Sequence, residues 1–168
     1  LFSHIGFSYT QKKFVKDEFG NKFFAEIHKD PYMLLQRIPR LSFDKIESII
    51  SIFGIEVSLD QKIVAATRHA LMQSEADRGN TCGPLERVLL RTQEITKNDI
   101  DTIQAAISSH HHLFNKFEIQ DKEFLETTEA CERDNDIAKQ IWLIKDNFKP
   151  IKGKKFSANK NATNPLSE

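Results

Sequence analysis

Two short stretches place glycine, serine and basic residues just ahead of a helix, a combination that can hold a phosphate. The first is HIGFSYTQKK, with Gly6 and Ser8 before Lys12 and Lys13. The second is RIPRLSFDK, with Arg37, Arg40, Ser42 and Lys45 around a tight hairpin at 38–43. A hairpin opening into a helix exposes consecutive backbone N–H groups beside the positive end of the helix dipole, which suits a phosphate oxygen. Serine adds a hydroxyl or caps the helix, and nearby Lys or Arg adds attraction indifferent to base sequence. Glycine normally occupies such hairpins, because the backbone turns sharply and must approach the ligand closely. The second hairpin has none. Its residues therefore allow two readings, a phosphate seat or a packing joint.

Other chemistry-bearing residues point nowhere so definite. Asp44 and Glu47, and Glu129, Glu132, Asp134 and Asp136, read as solvated helix faces. The His110-His111-His112 run suggests a metal site. Neighbours on a helix project about 100° apart, however, so a polar helix end is the better account. Cys82 and Cys131 lie far apart and outside any CxxC pair, which argues for reduced thiols in a cytoplasmic protein. The sequence carries no GxxxxGK[ST] phosphate loop, GxSxG, HExxH or EF-hand pattern, so no catalytic residue and no metal ligand is assigned. Trp142 and the 13 phenylalanines read as an aromatic core rather than a base-stacking platform.

The elements that must position these residues are mostly helices. At 39% hydrophobic and 29% charged, 168 residues can bury a core as one domain or two small ones. No apolar run reaches membrane-span length, and nothing resembles a signal peptide. Twenty-four basic and 24 acidic residues cancel, so any attraction for nucleic acid must come from a local patch. Ser8 or Thr10 caps a helix ending at Gly20, and a short helix over 21–29 stops before Pro31. Ser42 opens a helix with an apolar stripe of Ile46, Ile49, Ile50 and Phe53, closed by Gly54. Ser58 or Asp60 opens the next, which runs to Gly79. NTCGP reads as a loop into a helix from Pro84, and a cap near Asn98 starts another with Ile100, Ile103 and Ile107. Partial alternation around Phe117, Ile119, Phe124 and Leu125, with a turn at 120–122, predicts a β-hairpin. Two helices followed by a hairpin is the order of a winged-helix unit. A long helix with Ile137, Ile141, Trp142 and Ile144 follows, and then a polar, lysine-rich tail without a packing stripe.

Gly20 followed by DPYMLLQRIPRLSFDKIESIISIFGI, DQKIVAATRHAL and RGNTCGP resembles the helix-hairpin-helix region of RecD-type DNA helicases. The likeness is especially to the stand-alone bacterial relatives of the exonuclease V alpha subunit. In that family an NPY-x-LL turn leads to I-x-GIGF-xx-AD-x-IA. Asp30-Pro31-Tyr32 matches the turn, Phe43 the aromatic after the hairpin, and Gly54-Ile55 the helix exit. Ile63, Ala65, Ala70 and Leu71 match the next helix, with Lys62 where arginine is common. Gly79 and Thr81 match the turn after it, with Asn80 replacing histidine. Arg40-Leu41-Ser42 departs from the family's Gly-Ile-Gly. FLETTEACERDNDIAKQI is similar to the helix just before the motor, and NPLSE to the segment that opens it.

The resemblance implies a mainly α fold: tandem helix-hairpin-helix units over 1–78, a winged-helix-like part with one short β-hairpin over 79–148, and a basic flexible tail over 149–168. It implies an accessory DNA-binding or strand-guiding region of an ATP-dependent helicase, itself without catalysis. Gly6, Ser8, Arg40, Ser42 and Lys45 would contact backbone phosphates, with Lys12, Lys13 and Arg37 as flanking charges. ATP and magnesium would serve the motor, absent from a chain that begins at Leu1 and reads as a fragment. Single-stranded or forked DNA is the expected partner, with the motor in cis, a protein subunit as a further partner, and no membrane. The rival expectation is a structural module that docks on the motor or another subunit.

Overall fold

The helices begin where the sequence supplies a cap. In the computed structural model, which describes residues 5–147 (the side chains of 76–78 excepted), α1 spans Tyr9–Glu18. Ser8 caps it rather than Thr10: Ser8 Oγ accepts from the Gln11 N–H at 3.2 Å, and Gln11 Oε1 accepts from the Ser8 N–H at 3.1 Å. This reciprocal box satisfies two donors that the helix itself cannot. Helix α2 (Phe23–Lys29) ends at Asp30, whose carboxylate accepts from the Tyr32 N–H at 3.0 Å in the turn Pro31–Met33. Two further helices, α3 (Leu34–Arg37) and α4 (Phe43–Phe53), enclose the hairpin, and Gly54 closes α4 at φ 60°. Helix α5 (Leu59–Arg78) repeats the capping box with Ser58 and Gln61.

Val15, Phe23, Ile27, Leu34, Ile38, Ile46 and Ile49 close the first core, with Phe7 and Phe19 edge-on to Phe23 at 6.4 and 5.9 Å. Burying each such side chain contributes about 1.5–3 kcal/mol, and this core fixes how the two hairpins meet.

The second core is built on α5, α6 (Leu85–Thr96), α7 (Ile100–Ser109) and a small antiparallel sheet. The sheet comprises β1 (Cys82–Pro84), β2 (Phe114–Ile119) and β3 (Lys122–Thr127) in the order β1-β3-β2. Ile63 and Leu71 of α5 meet Val88, Ile103, Phe114 and Leu125 here, whereas Ala66 of the same helix belongs to the first core. Helix, strand, two helices, two strands is the winged-helix order, so the fold is mainly helical as expected.

Two details differ from the sequence reading. NTCGP contains a strand, β1, whose Cys82, Gly83 and Pro84 face Glu126, Leu125 and Phe124. Three residues are too few for alternation to show; what admits the strand is Gly83, where a Cβ would stand 2.9 Å from Val88 Cγ2. The cap expected near Asn98 is Asp99, which accepts from the Thr102 N–H at 2.8 Å, while Asn98 turns back onto Thr96. The second difference concerns Trp142. Helix α8 runs Thr128–Asn147, and the chain divides into two compact units between Asp134 and Asn135. Trp142 is 62% exposed, with Lys145 Nζ 5.0 Å from its ring centroid, and Ile137, Ile141, Leu143 and Ile144 are exposed too. The aromatic-core reading therefore fails at Trp142, which is exposed and belongs to neither core cluster. Within the first unit, Arg68 pairs with Glu129 at 2.6 Å and Arg133 with Glu75 at 2.7 Å, fastening the first turns of α8 to α5. The tail expected over 149–168 lies outside the described residues.

Candidate nucleic-acid interface

The two hairpins match residue for residue in their backbone roles. Gly6 (φ 67°) and Arg40 (φ 56°) both occupy the left-handed region, which residues with a Cβ seldom enter. Phe7 and Leu41 follow, both buried. Ser8 and Ser42 come next as extended N-cap residues, with ψ 164° and 156°. Gln11 and Lys45 are the third helical residues. Arg40 thus keeps the turn that glycine would make freely, which answers how the hairpin survives without one.

Gly6, Ser8, Gln11, Arg40, Ser42 and Lys45 line one open cavity of about 500 Å³. Five of the eight residues expected from the sequence therefore come together. Lys12 and Lys13 stay on α1 and do not line the cavity. Nor does Arg37, whose guanidinium lies 5.6 Å over the Phe19 ring. Gln11 was not singled out in the sequence, yet its Nε2 donates to the Pro39 and Arg40 carbonyls at 3.3 and 3.4 Å, tying one hairpin to the other. The S-x-x-Q capping signature was its visible signal.

The two helix starts differ electrically. Ser42 makes no side-chain cap, so the N–H groups of Phe43 and Asp44 have neither a helical acceptor nor a capping oxygen. Arg40 and Lys45 enter no ion pair among the described residues. Asp44 lines the same cavity and offsets part of their charge. A second cavity of about 440 Å³ flanks the start of α4 on another side, with Ser42 and Asp44 joined by Gln73, Arg91, Glu94 and Lys97. Arg91 is partly committed there, donating to Glu94 at 2.6 Å.

Behind the hairpin, Tyr32 stacks on Phe43 at 5.5 Å and His69 lies 6.1 Å from the same ring. Burial, and then the nearby Arg91 charge, push the His69 imidazole below its ordinary pKa. The Tyr32 hydroxyl donates to Glu47 at 2.8 Å, and Glu47 also closes an ion pair with Lys62. Burial, followed by the Glu47 carboxylate, raises the Tyr32 pKa far above the usual phenol range. These groups brace the hairpin from inside. His110 Nδ1 lies 2.9 Å from the Ala106 carbonyl, and no three His, Cys, Asp or Glu side chains among the described residues converge as metal ligands. No described helix is long and apolar enough to cross a membrane.

The site is therefore an open helix start beside two cations that enter no ion pair among the described residues. No curated protein matches the chain. Residues 1–82 match the family model described as the ATP-dependent RecD2 DNA helicase HHH domain, which makes this stretch, both hairpins included, similar to the helix-hairpin-helix region of RecD2-type helicases.

Proposed function

We propose that the paired hairpins bind the phosphate backbone of DNA without reading its bases, as an accessory strand-guiding region of a RecD2-type helicase. The observation that carries this is the convergence of Arg40, Ser42 and Lys45 on the uncapped start of α4, within the stretch that matches the helicase family model. The open N–H groups and the helix dipole would take phosphate oxygens, and the two cations would supply attraction independent of sequence. Work along the strand would fall to an ATP- and magnesium-dependent motor acting in cis in the cytoplasm. These 168 residues would contribute contact, not catalysis. Anisotropy titrations with labelled single strands of unrelated sequence, and with a fork, test the reading. Equal, weak affinities for the single strands support it, and an affinity lost on a single base change rejects it.

A second reading has its own support. Ile137, Ile141 and Ile144 form an exposed apolar face on α8, as a docking module for the motor or another subunit would have. Failure to bind any of these DNAs at low salt would favour it.

A further inference from the structure

We propose that the winged-helix part docks a basic, amphipathic helix of a partner protein in the groove between α6, the start of α7 and the β2–β3 turn. Charge is divided unevenly along the chain. Residues 79–134 hold 11 acidic and 6 basic side chains, whereas residues 1–78 hold 10 and 11. A unit of this order that reads DNA lays its third helix in the major groove, close to phosphates on both strands. Here that helix is α7, and it contains no lysine or arginine. Its exposed residues are Asp101, Gln104, Ala105, Ser108 and Ser109, and Asp99 caps its start. The turn between β2 and β3 adds Asp121. DNA would meet like charge on this side. The order of elements is that of a DNA reader, but the side chains are not.

The groove beside α7 encloses about 870 Å³. Leu89, Leu90 and Ile100 supply its apolar floor, and Leu90 is left 46% exposed on a helix whose inner face is core. Glu86, Asp121 and Glu123 stand around this floor. Asp101 extends the acidic rim, one turn before the lining residue Gln104 on the same helix face. Lys116 engages Glu123 at 2.5 Å, whereas Glu86 and Asp121 enter no ion pair among the described residues. Arg87 and Lys122 line the groove too and offset part of the charge, but the surplus of acids across 79–134 keeps the surrounding field negative. An apolar floor rimmed by charge is the setting that takes an amphipathic helix by its apolar stripe. The sign of the field then selects a helix flanked by lysine or arginine, and turns away nucleic acid.

The test titrates the whole chain against a labelled synthetic helix with leucines along one face and lysines on the other, and against its glutamate counterpart. The proteins are the unaltered chain, Glu86→Gln/Asp121→Asn, Leu90→Ser and Glu132→Gln. Asparagine suits position 121, whose φ is 61°. Glu132 is exposed but outside the groove, so its variant reports diffuse attraction. The lysine helix should bind and weaken with salt, and the glutamate helix should not bind. Glu86→Gln/Asp121→Asn should weaken binding about tenfold, two exposed ion pairs at about threefold each. Leu90→Ser should weaken it about fivefold through lost apolar contact, and Glu132→Gln should leave it unchanged. Equal losses at Glu132 and at the groove, no loss at Leu90, or no binding of the lysine helix at low salt overturns the proposal. Labelled single-stranded DNA should bind Glu86→Gln/Asp121→Asn at least as tightly as the unaltered chain; weaker binding would put DNA in the groove and overturn it as well. None of these failures touches the reading of the hairpins.

Discussion

Arg40 shows most sharply how a single residue sets both stability and binding. Its φ of 56° costs a side-chain-bearing residue about 1–2 kcal/mol, which glycine would not incur. Arg40→Gly should therefore raise the melting temperature by a few degrees while weakening DNA binding, because it removes a cation from the cavity. Calorimetry beside an anisotropy titration checks both signs; a variant less stable than the parent would show that the turn carries no strain. The basic and serine positions at this hairpin were legible in the sequence, as was the loss of glycine, but the left-handed backbone at Arg40 was not. It follows from matching Gly6-Phe7-Ser8 to Arg40-Leu41-Ser42, a register that the backbone angles fix. His69 carries a second prediction at this scale. Its folded pKa is depressed, so the unfolded chain takes up a proton first as pH falls below the ordinary value of 6.5. Stability is accordingly full above that pH and declines beneath it. His69→Phe, which keeps an aromatic neighbour for Phe43, should remove that part of the decline in pH-dependent thermal melts, and an unaltered profile would refute the assignment.

At the scale of elements, the contrast between capped and uncapped helix starts separates structure from binding. Ser8 accepts a backbone hydrogen bond and Ser42 does not. Ser8→Ala should thus cost about 1 kcal/mol of stability, whereas Ser42→Ala should change it by no more than a few tenths. Chemical denaturation of the two variants measures this, and equal losses would mean that Ser42 caps α4 after all. The helices themselves were readable because apolar spacing and caps coincide, as in α4 with Ile46, Ile49 and Ile50 below Ser42. Strand β1 was not, because its place depends on pairing with Phe124, Leu125 and Glu126 some forty residues away. Arg91 and Lys97 escaped for the same reason. They belong to α6 and its C-cap in sequence, and only the packing of α6 against α5 sets them beside the start of α4.

Across the whole molecule, zero net charge conceals an uneven distribution. Acidic and basic side chains pair in the first unit, as in Arg68–Glu129, Arg133–Glu75 and Lys62–Glu47, while Arg40 and Lys45 at the hairpins enter no ion pair among the described residues. Composition could not show this, because pairing is a property of the fold. The two cores share α5, so the hairpins and the winged-helix part are joined by one continuous helix rather than by a linker. The most direct test of phosphate contact at the hairpins is the salt dependence of single-strand binding, measured for the intact chain and for Arg40→Ala/Lys45→Ala. The account predicts a log–log slope that falls by about 1.4 in the variant, two contacts at roughly 0.7 each. The same slope in both proteins, or binding indifferent to salt, would contradict it.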